Sequence, residues 1–197
     1  MFSTKKSLTL SAYTQISDTF THQIHHFMPR PSSNEYAPFY AGYIAKVERE
    51  NPLEFLLEGK RQTVAFFQSI PLSHVLLRYA PDKWSIKEIL GHLTDAERVM
   101  AYRAMRFARR DTTELPGFDE NAYVPVANFD EMPMSELLDM YKCVRDATLS
   151  LARSFKEDDF VQLGKANKSD LSVRALLYII AGHEIHHINV IKERYLG

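Results

Sequence analysis

Near the C-terminal end of the sequence, "GHEIHHI" places His183 and His187 four residues apart, with Glu184 and His186 between them. On a helix, at about 100° per residue, His187 falls about 40° from His183, and Leu176, Ile179, Ile180 and Val190 all lie within about 60° of it. Both imidazoles therefore sit in the middle of an apolar stripe. A buried imidazole needs partners for both ring nitrogens. Two of them at i, i+4 on one face can share a single metal ion, with a carboxylate or carbonyl behind each ring. One histidine alone would read as a hydrogen-bonded core residue.

The same stretch satisfies the H-E-x-x-H pattern of zinc proteases, in which Glu184 would be the general base. Such a site needs a third ligand downstream. Positions 190 and 193, where a glycine and a histidine would be required, hold Val190 and Glu193, and few residues follow. Glu184 and His186 fall about 80° either side of the histidine axis and flank it. A protease reading is therefore set aside, and the third ligand must come from upstream. The candidates are His22, His25, His26, His74 and His92. His92 matches His187 in height if the helices carrying them are antiparallel, but it lies about 100° from the centre of its own apolar stripe, so its face does not decide the matter. The "HQIHH" run at 22–26 echoes the C-terminal spacing in an otherwise Ser/Thr-rich stretch.

The elements that must position these side chains are helices. Residues 52–69 show apolar positions at helical spacing, with Pro52 in the tolerated first turn. Ser85 and Glu88 form a capping box that starts a second helix running to about Arg110. A third is expected over 134–155 and a fourth from about Ser172 to Leu196, with "KEDDFVQLGKANKSDL" as a polar loop between them. "YAPFYAGYIAKV" is an aromatic entry segment, and residues 1–35 read as a loosely packed leader before a single domain over 36–197. Residues 112–133 hold three prolines and no sustained periodicity, a long connection. About 22 residues reach roughly 70 Å when extended, against roughly 40 Å for the second helix. The connection can therefore return along the bundle and leave the second and third helices parallel. The expectation is an all-α four-helix bundle in up-down-down-up order.

With 197 residues, 45% of them hydrophobic, the chain can bury one real core. A formal net charge of −1 favours neither nucleic acid nor an anionic membrane. The single cysteine, Cys143, excludes an internal disulfide framework and suits a reducing compartment; it is expected buried and inert in the third helix. No apolar run is long enough for a membrane span, and no secretory h-region follows Lys5 and Lys6. A cytoplasmic location is expected. Arg103, Arg106, Arg109 and Arg110 read as a solvated face that complements the dipole of the second helix.

Several residues are weaker candidates. Asp95, three after His92, is placed to orient a ligand or act as a base, against the plainer reading of a surface acid. Glu88 reads as the cap alone. His186 competes between proton transfer and simple exposure. Asp119 and Tyr123 lie on the long connection, which passes the metal end of the bundle if it arrives at the start of the third helix; they wall the pocket or merely pack the loop. Asp95 and Tyr123 are the catalytic candidates carried forward.

"YAPFYAGYI", "KWSIKEILGHLTDAERVMAYRAMRFAR", "LPGFDENAY" and "VRALLYIIAGHEIHHINVIKERYL", taken in order, resemble the DinB/YfiT-like superfamily in its DinB_2-type branch, over about residues 34–197. The resemblance implies an up-down-down-up four-helix bundle that holds a divalent metal with one histidine on the second helix and an H-x-x-x-H pair on the fourth; imidazoles suit Zn, Ni, Fe and Cu alike, and Zn or Ni is expected. Carried over, these are His92, His183 and His187. An open three-histidine site lets an ion lower the pKa of water toward ~7 or hold a thiolate. The resemblance thus implies either a metal-dependent hydrolase or a transferase of low-molecular-weight thiols such as bacillithiol, mycothiol or glutathione. The expected partners are a small-molecule substrate, with such a thiol as cosubstrate, and a second copy in a homodimer; neither nucleic acid nor a membrane is expected. Two other readings compete: a non-enzymatic metal or small-ligand binding module, and a stress-linked interaction protein whose metal is structural.

Overall fold

The computed structural model describes residues 28–197; the His22, His25 and His26 cluster lies outside the described residues. Four long helices form the body: α2 (Pro52–Ser69), α3 (Ile86–Ala108), α5 (Met134–Arg153) and α6 (Val173–Val190). A short α1 (Ala41–Ala45) precedes them and a short α4 (Glu120–Ala127) interrupts the long connection. Three of the four long helices start at a side-chain cap, and α5 follows Pro133 without one. The Asn51 side chain accepts from Leu53 N ahead of Pro52, and Ser85 and Glu88 close a reciprocal capping box. Ser172 accepts from Ala175 N to open α6, which ends in a single π turn over Ile191–Tyr195.

The packing partners fix the topology. Leu90 and Leu93 of α3 share a cluster with Leu137 and Leu138 of α5, while Ala104 and Phe107 share the other with Leu149 and Ala152; these two helices run parallel. Leu53 and Leu56 of α2 share the first cluster with Leu149 and Ala152, and Phe67 shares the second with Leu137 and Tyr141, which sets α2 antiparallel to α5. His92 faces His183, whereas Met100 and Phe107 pack with Leu176 and Ile179, so α3 and α6 are antiparallel. The order is up-down-down-up, as the length of the connection implies.

The core is divided. One apolar cluster fills the end built from Leu53, Leu56, Met100, Leu149 and Leu176; the other is built from Phe67, Leu90, Leu93, Leu137 and Tyr141. Between them each long helix contributes a polar residue: Thr63, Glu97, Arg145 and Glu184, all buried. Arg145 grips both oxygens of Glu97 at 2.9–3.1 Å and one oxygen of Glu184 at 2.6 Å. Glu184 also accepts from the Tyr141 hydroxyl and from Thr63 Oγ1. Every partner in this layer is matched, which is what burial of three charges requires.

Four sequence expectations change. The polar loop before α6 holds a two-stranded antiparallel hairpin, β1 (Leu163–Ala166) and β2 (Ser169–Ser172), turned by Asn167 and Lys168 at φ 50° and 62°. The 112–133 connection is not wholly irregular: Asp119 caps α4 by accepting from Asn121 and Ala122 N. Residues 28–35, placed in the loose leader, pack on the body. Met28 is 1% exposed, Arg30 donates to the Ile44 and Val47 carbonyls, and Glu35 pairs with Arg174. Cys143 is exposed, because it sits about 200° around α5 from the inward-facing Arg145.

α1 crosses α6 at Gly182. A Cβ there would lie 1.9 Å from the Tyr43 carbonyl oxygen, so only glycine lets the two backbones approach this closely. No helix among the described residues is long and apolar enough to cross a membrane.

Candidate metal centre

α3 and α6 bring three of the five histidines among the described residues to one point: His92, His183 and His187 offer ring nitrogens that all lie within 4.8 Å of one another. His183 Nε2 is 3.0 Å from His92 Nε2 and 3.0 Å from His187 Nε2. The i, i+4 spacing puts His183 and His187 on one face of α6, and the antiparallel crossing brings His92 to the same height. Aromatic rings hold them. Trp84 packs 4.6 Å from His92 and 6.4 Å from His187, and Tyr43 meets His183 edge-on at 5.3 Å.

Electrostatics keep the cluster neutral. Burial lowers His92 to about 4. Burial pushes His183 well below the ordinary imidazole value, with His187, His92 and His186 adding to the effect. His187 is lowered in the same way by burial and then by His92 and His186. Neutral imidazoles are the form that ligates, and three ring nitrogens directed at one another with no anion among them fit a divalent cation. An all-imidazole donor set suits Zn, Ni, Fe or Cu.

Two clefts reach the cluster. The larger, about 340 Å³, is bordered by His92 and His183; the smaller, about 250 Å³, by His187, His186 and Trp84. The first turn of α4 stands between them, with Glu120 in the larger and Asn121 in the smaller.

The other sequence candidates fall elsewhere. Asp95 pairs with Arg98 at 2.7 Å and borders neither cleft, so its place as base or ligand orienter is not supported. Tyr123 is 48% exposed and touches Phe118, behind the cleft wall rather than in it. Asp119 serves as the α4 cap and Glu88 as the α3 cap with Arg78 as its ion-pair partner. His74 is exposed beside Ser73. His186 is half-buried against Tyr43 and lies outside the ligand cluster. Glu184 is turned away from the histidines into the Arg145 layer, so the H-E-x-x-H match has no protease geometry behind it.

Sequence reasoning missed Tyr43, Trp84, Glu120 and Arg103. Arg103, expected on a solvated face, is 3% exposed, donates to the Pro116 carbonyl at 2.8 Å and lies over the Phe118 ring. Its signal is faint: Arg103 lies eleven residues from His92, about three turns and the same face of α3.

The profile of the DinB superfamily matches residues 56–191. No curated protein matches the chain. Among solved structures, the chain is similar to YfiT from Bacillus subtilis, described as a probable metal-dependent hydrolase with an unusual four-helix bundle topology. That likeness has a TM-score of 0.64 and 19% identity, covering 75% of this chain and 87% of YfiT. A DinB-like protein, YjoA, also from Bacillus subtilis, gives a TM-score of 0.53 and 17% identity, covering 74% of this chain and 90% of that one.

Proposed function

Since the chain belongs to the DinB superfamily, we propose that His92, His183 and His187 hold a divalent metal ion, Zn or Ni, in a metal-dependent hydrolase of small molecules. The observation that carries this reading is the convergence of three neutral imidazoles, His92 buried and His183 and His187 half-buried, beside an open cleft. The likeness to YfiT supports the hydrolase class. An ion held there would polarise a substrate carbonyl and lower the pKa of water or a thiol. The protein's own residues do the rest. Trp84 and Tyr43 fix the ring planes, and the apolar cleft wall of Ala96, Met100 and Ile179 excludes water from the bound substrate. Glu120 is the carboxylate of the larger cleft and the candidate to take or give a proton there, in place of Asp95 and Tyr123.

A second reading, transfer of a low-molecular-weight thiol onto an electrophile, is favoured by the two clefts that meet at one cluster, because each can admit one of two substrates. Cys143 borders neither cleft, so the thiol is the cosubstrate's own. A cytoplasmic location and a homodimer go with either reading.

The test is made on protein purified without a histidine tag. Metal content comes first, then an ester and amide panel, then monochlorobimane with a panel of small thiols. The expected result is near-stoichiometric metal and turnover that a chelator abolishes. Hydrolysis without thiol supports the first reading and thioether formation the second. A stoichiometrically loaded protein inert in both panels would leave the ion structural.

A further inference from the structure

We infer that the larger cleft is built for a carboxylic acid, with Arg103 binding the carboxylate of a substrate whose reactive group lies at the His92 and His183 end. This rests on the metal reading above and adds the chemical class of the ligand.

Arg103 is a buried cation on the cleft wall, 3% exposed. Its partners are the Pro116 carbonyl at 2.8 Å, Met100 Sδ at 3.9 Å and the face of the Phe118 ring. Among the described residues no carboxylate pairs with it. The other buried arginine, Arg145, is clamped between two carboxylates, Arg78 also pairs with two, and Arg174 and Arg110 each have one. A guanidinium taken out of water without a counter-ion is costly, and a bound anion offsets that cost. Its planar fork matches a carboxylate.

The surroundings are graded along the cleft. The Arg103 guanidinium reaches back to Met100, which places its charge about eight residues, roughly 12 Å, along α3 from His92. At the arginine end the hairpin adds Asn167 and Ser169 to the wall. Gly117, which follows the carbonyl that Arg103 holds, abuts Asn167: a Cβ on it would lie 2.6 Å from Asn167 Oδ1. Amide and hydroxyl thus stand near the guanidinium. Between the two ends Ala96, Met100 and Ile179 line an apolar lane. The wall carries no second Lys or Arg and does carry Glu120, so a monoanionic carboxylate fits better than a phosphate dianion. The ligand this describes has a carboxylate, an apolar middle and a reactive group roughly 12 Å away.

The test uses monohydroxamates of straight-chain dicarboxylic acids, each against its methyl ester, by calorimetry on the zinc-loaded protein. The hydroxamate reports the metal and the free carboxylate reports Arg103. The acid should bind about tenfold tighter than its ester at one chain length, as expected for a charge-assisted pair, and the gain should fade for shorter chains. Arg103→Gln should abolish the gain and leave ester binding unchanged. Should that variant not fold, the length series on the unaltered protein still decides, because general electrostatic attraction would favour every acid equally. Equal binding of acid and ester at all lengths, or a length-independent gain, overturns the carboxylate site and leaves the metal reading intact. Failure of both acid and ester to bind removes the metal reading and this inference with it.

Discussion

His183 and Glu184 are consecutive residues of α6, and they show two opposite ways of burying a polar group. Glu184 enters a layer in which each charge has a matching partner: Arg145, Tyr141 and Thr63 on one carboxylate, and Glu97 completing the guanidinium. His183 enters a cluster in which the partners are two more neutral imidazoles. The first arrangement is closed and holds four helices together. The second has aligned donors and no internal counter-ion, so its natural partner comes from outside the chain. Burial alone therefore does not mark a functional group; buried donors left facing one another do.

The largest effect should come from breaking the closed layer. Arg145→Ala leaves Glu97 and Glu184 buried without their cation and should cost about 3–5 kcal/mol in urea unfolding. Replacing all three charged residues with apolar ones of similar volume should recover most of that loss. A cost under about 1 kcal/mol for Arg145→Ala would mean that water reaches the layer and that it is not structural.

Breaking the open cluster should do the reverse. His92→Ala, His183→Ala and His187→Ala should each weaken metal binding more than about 100-fold, beyond the loss typical of an outer-shell partner, while the metal-free stability moves by less than about 1 kcal/mol. His186→Ala should keep its metal. Retained affinity in His92→Ala, read by competition with a chromophoric chelator, would remove α3 from the site.

Glu184→Gln sharpens the boundary between the two regions. It should cost about 1–3 kcal/mol of stability, leave metal content unchanged and reduce any metal-dependent turnover less than tenfold. Metal-dependent peptide cleavage that this variant abolishes would restore the protease reading.

The smallest effect concerns a third paired carboxylate nearer the surface. Burial alone would raise the Glu35 pKa, but the Arg174 and Ser32 hydrogen bonds bring it down from 4.5 to about 2. A depressed folded pKa stabilises above the unfolded value and is lost as pH falls through the folded one. Glu35→Gln should therefore cost about 1 kcal/mol near neutrality, and the gap to the unaltered protein should close between pH 4.5 and 2. A gap that persists below pH 2 would assign the loss to packing instead.

The sequence made legible whatever its own neighbours determine. Pro52, the Ser85 and Glu88 box and Ser172 act within one turn, and the helices start at those residues. The i, i+4 histidines sit within α6 and could be aligned on a wheel, while His92 needed the superfamily resemblance because its partners lie on another helix. The hairpin was hidden because its turn, Asn167-Lys168, lacks glycine and its strands are four residues long. α4 spans eight residues, too few to show a period. Arg103 reads as a surface charge, and Arg145 gives no sequence signal, because nothing local marks either. The Pro116 carbonyl and the Glu97 and Glu184 carboxylates that bury them arrive only with tertiary packing.

The order of the helices also sets when the metal centre can exist. His92 and His183 are 91 residues apart, and two of the three ligands lie on the last long helix. Arg145 and Glu184 are 39 apart and meet through the same helix. The ligand set is therefore complete only when α6 is packed against α3, a contact of long sequence separation whose loop-closure entropy must be offset before it forms. With α6 undocked, α3 offers one imidazole of the three, so a metal bound by the full set would report that α6 is in place.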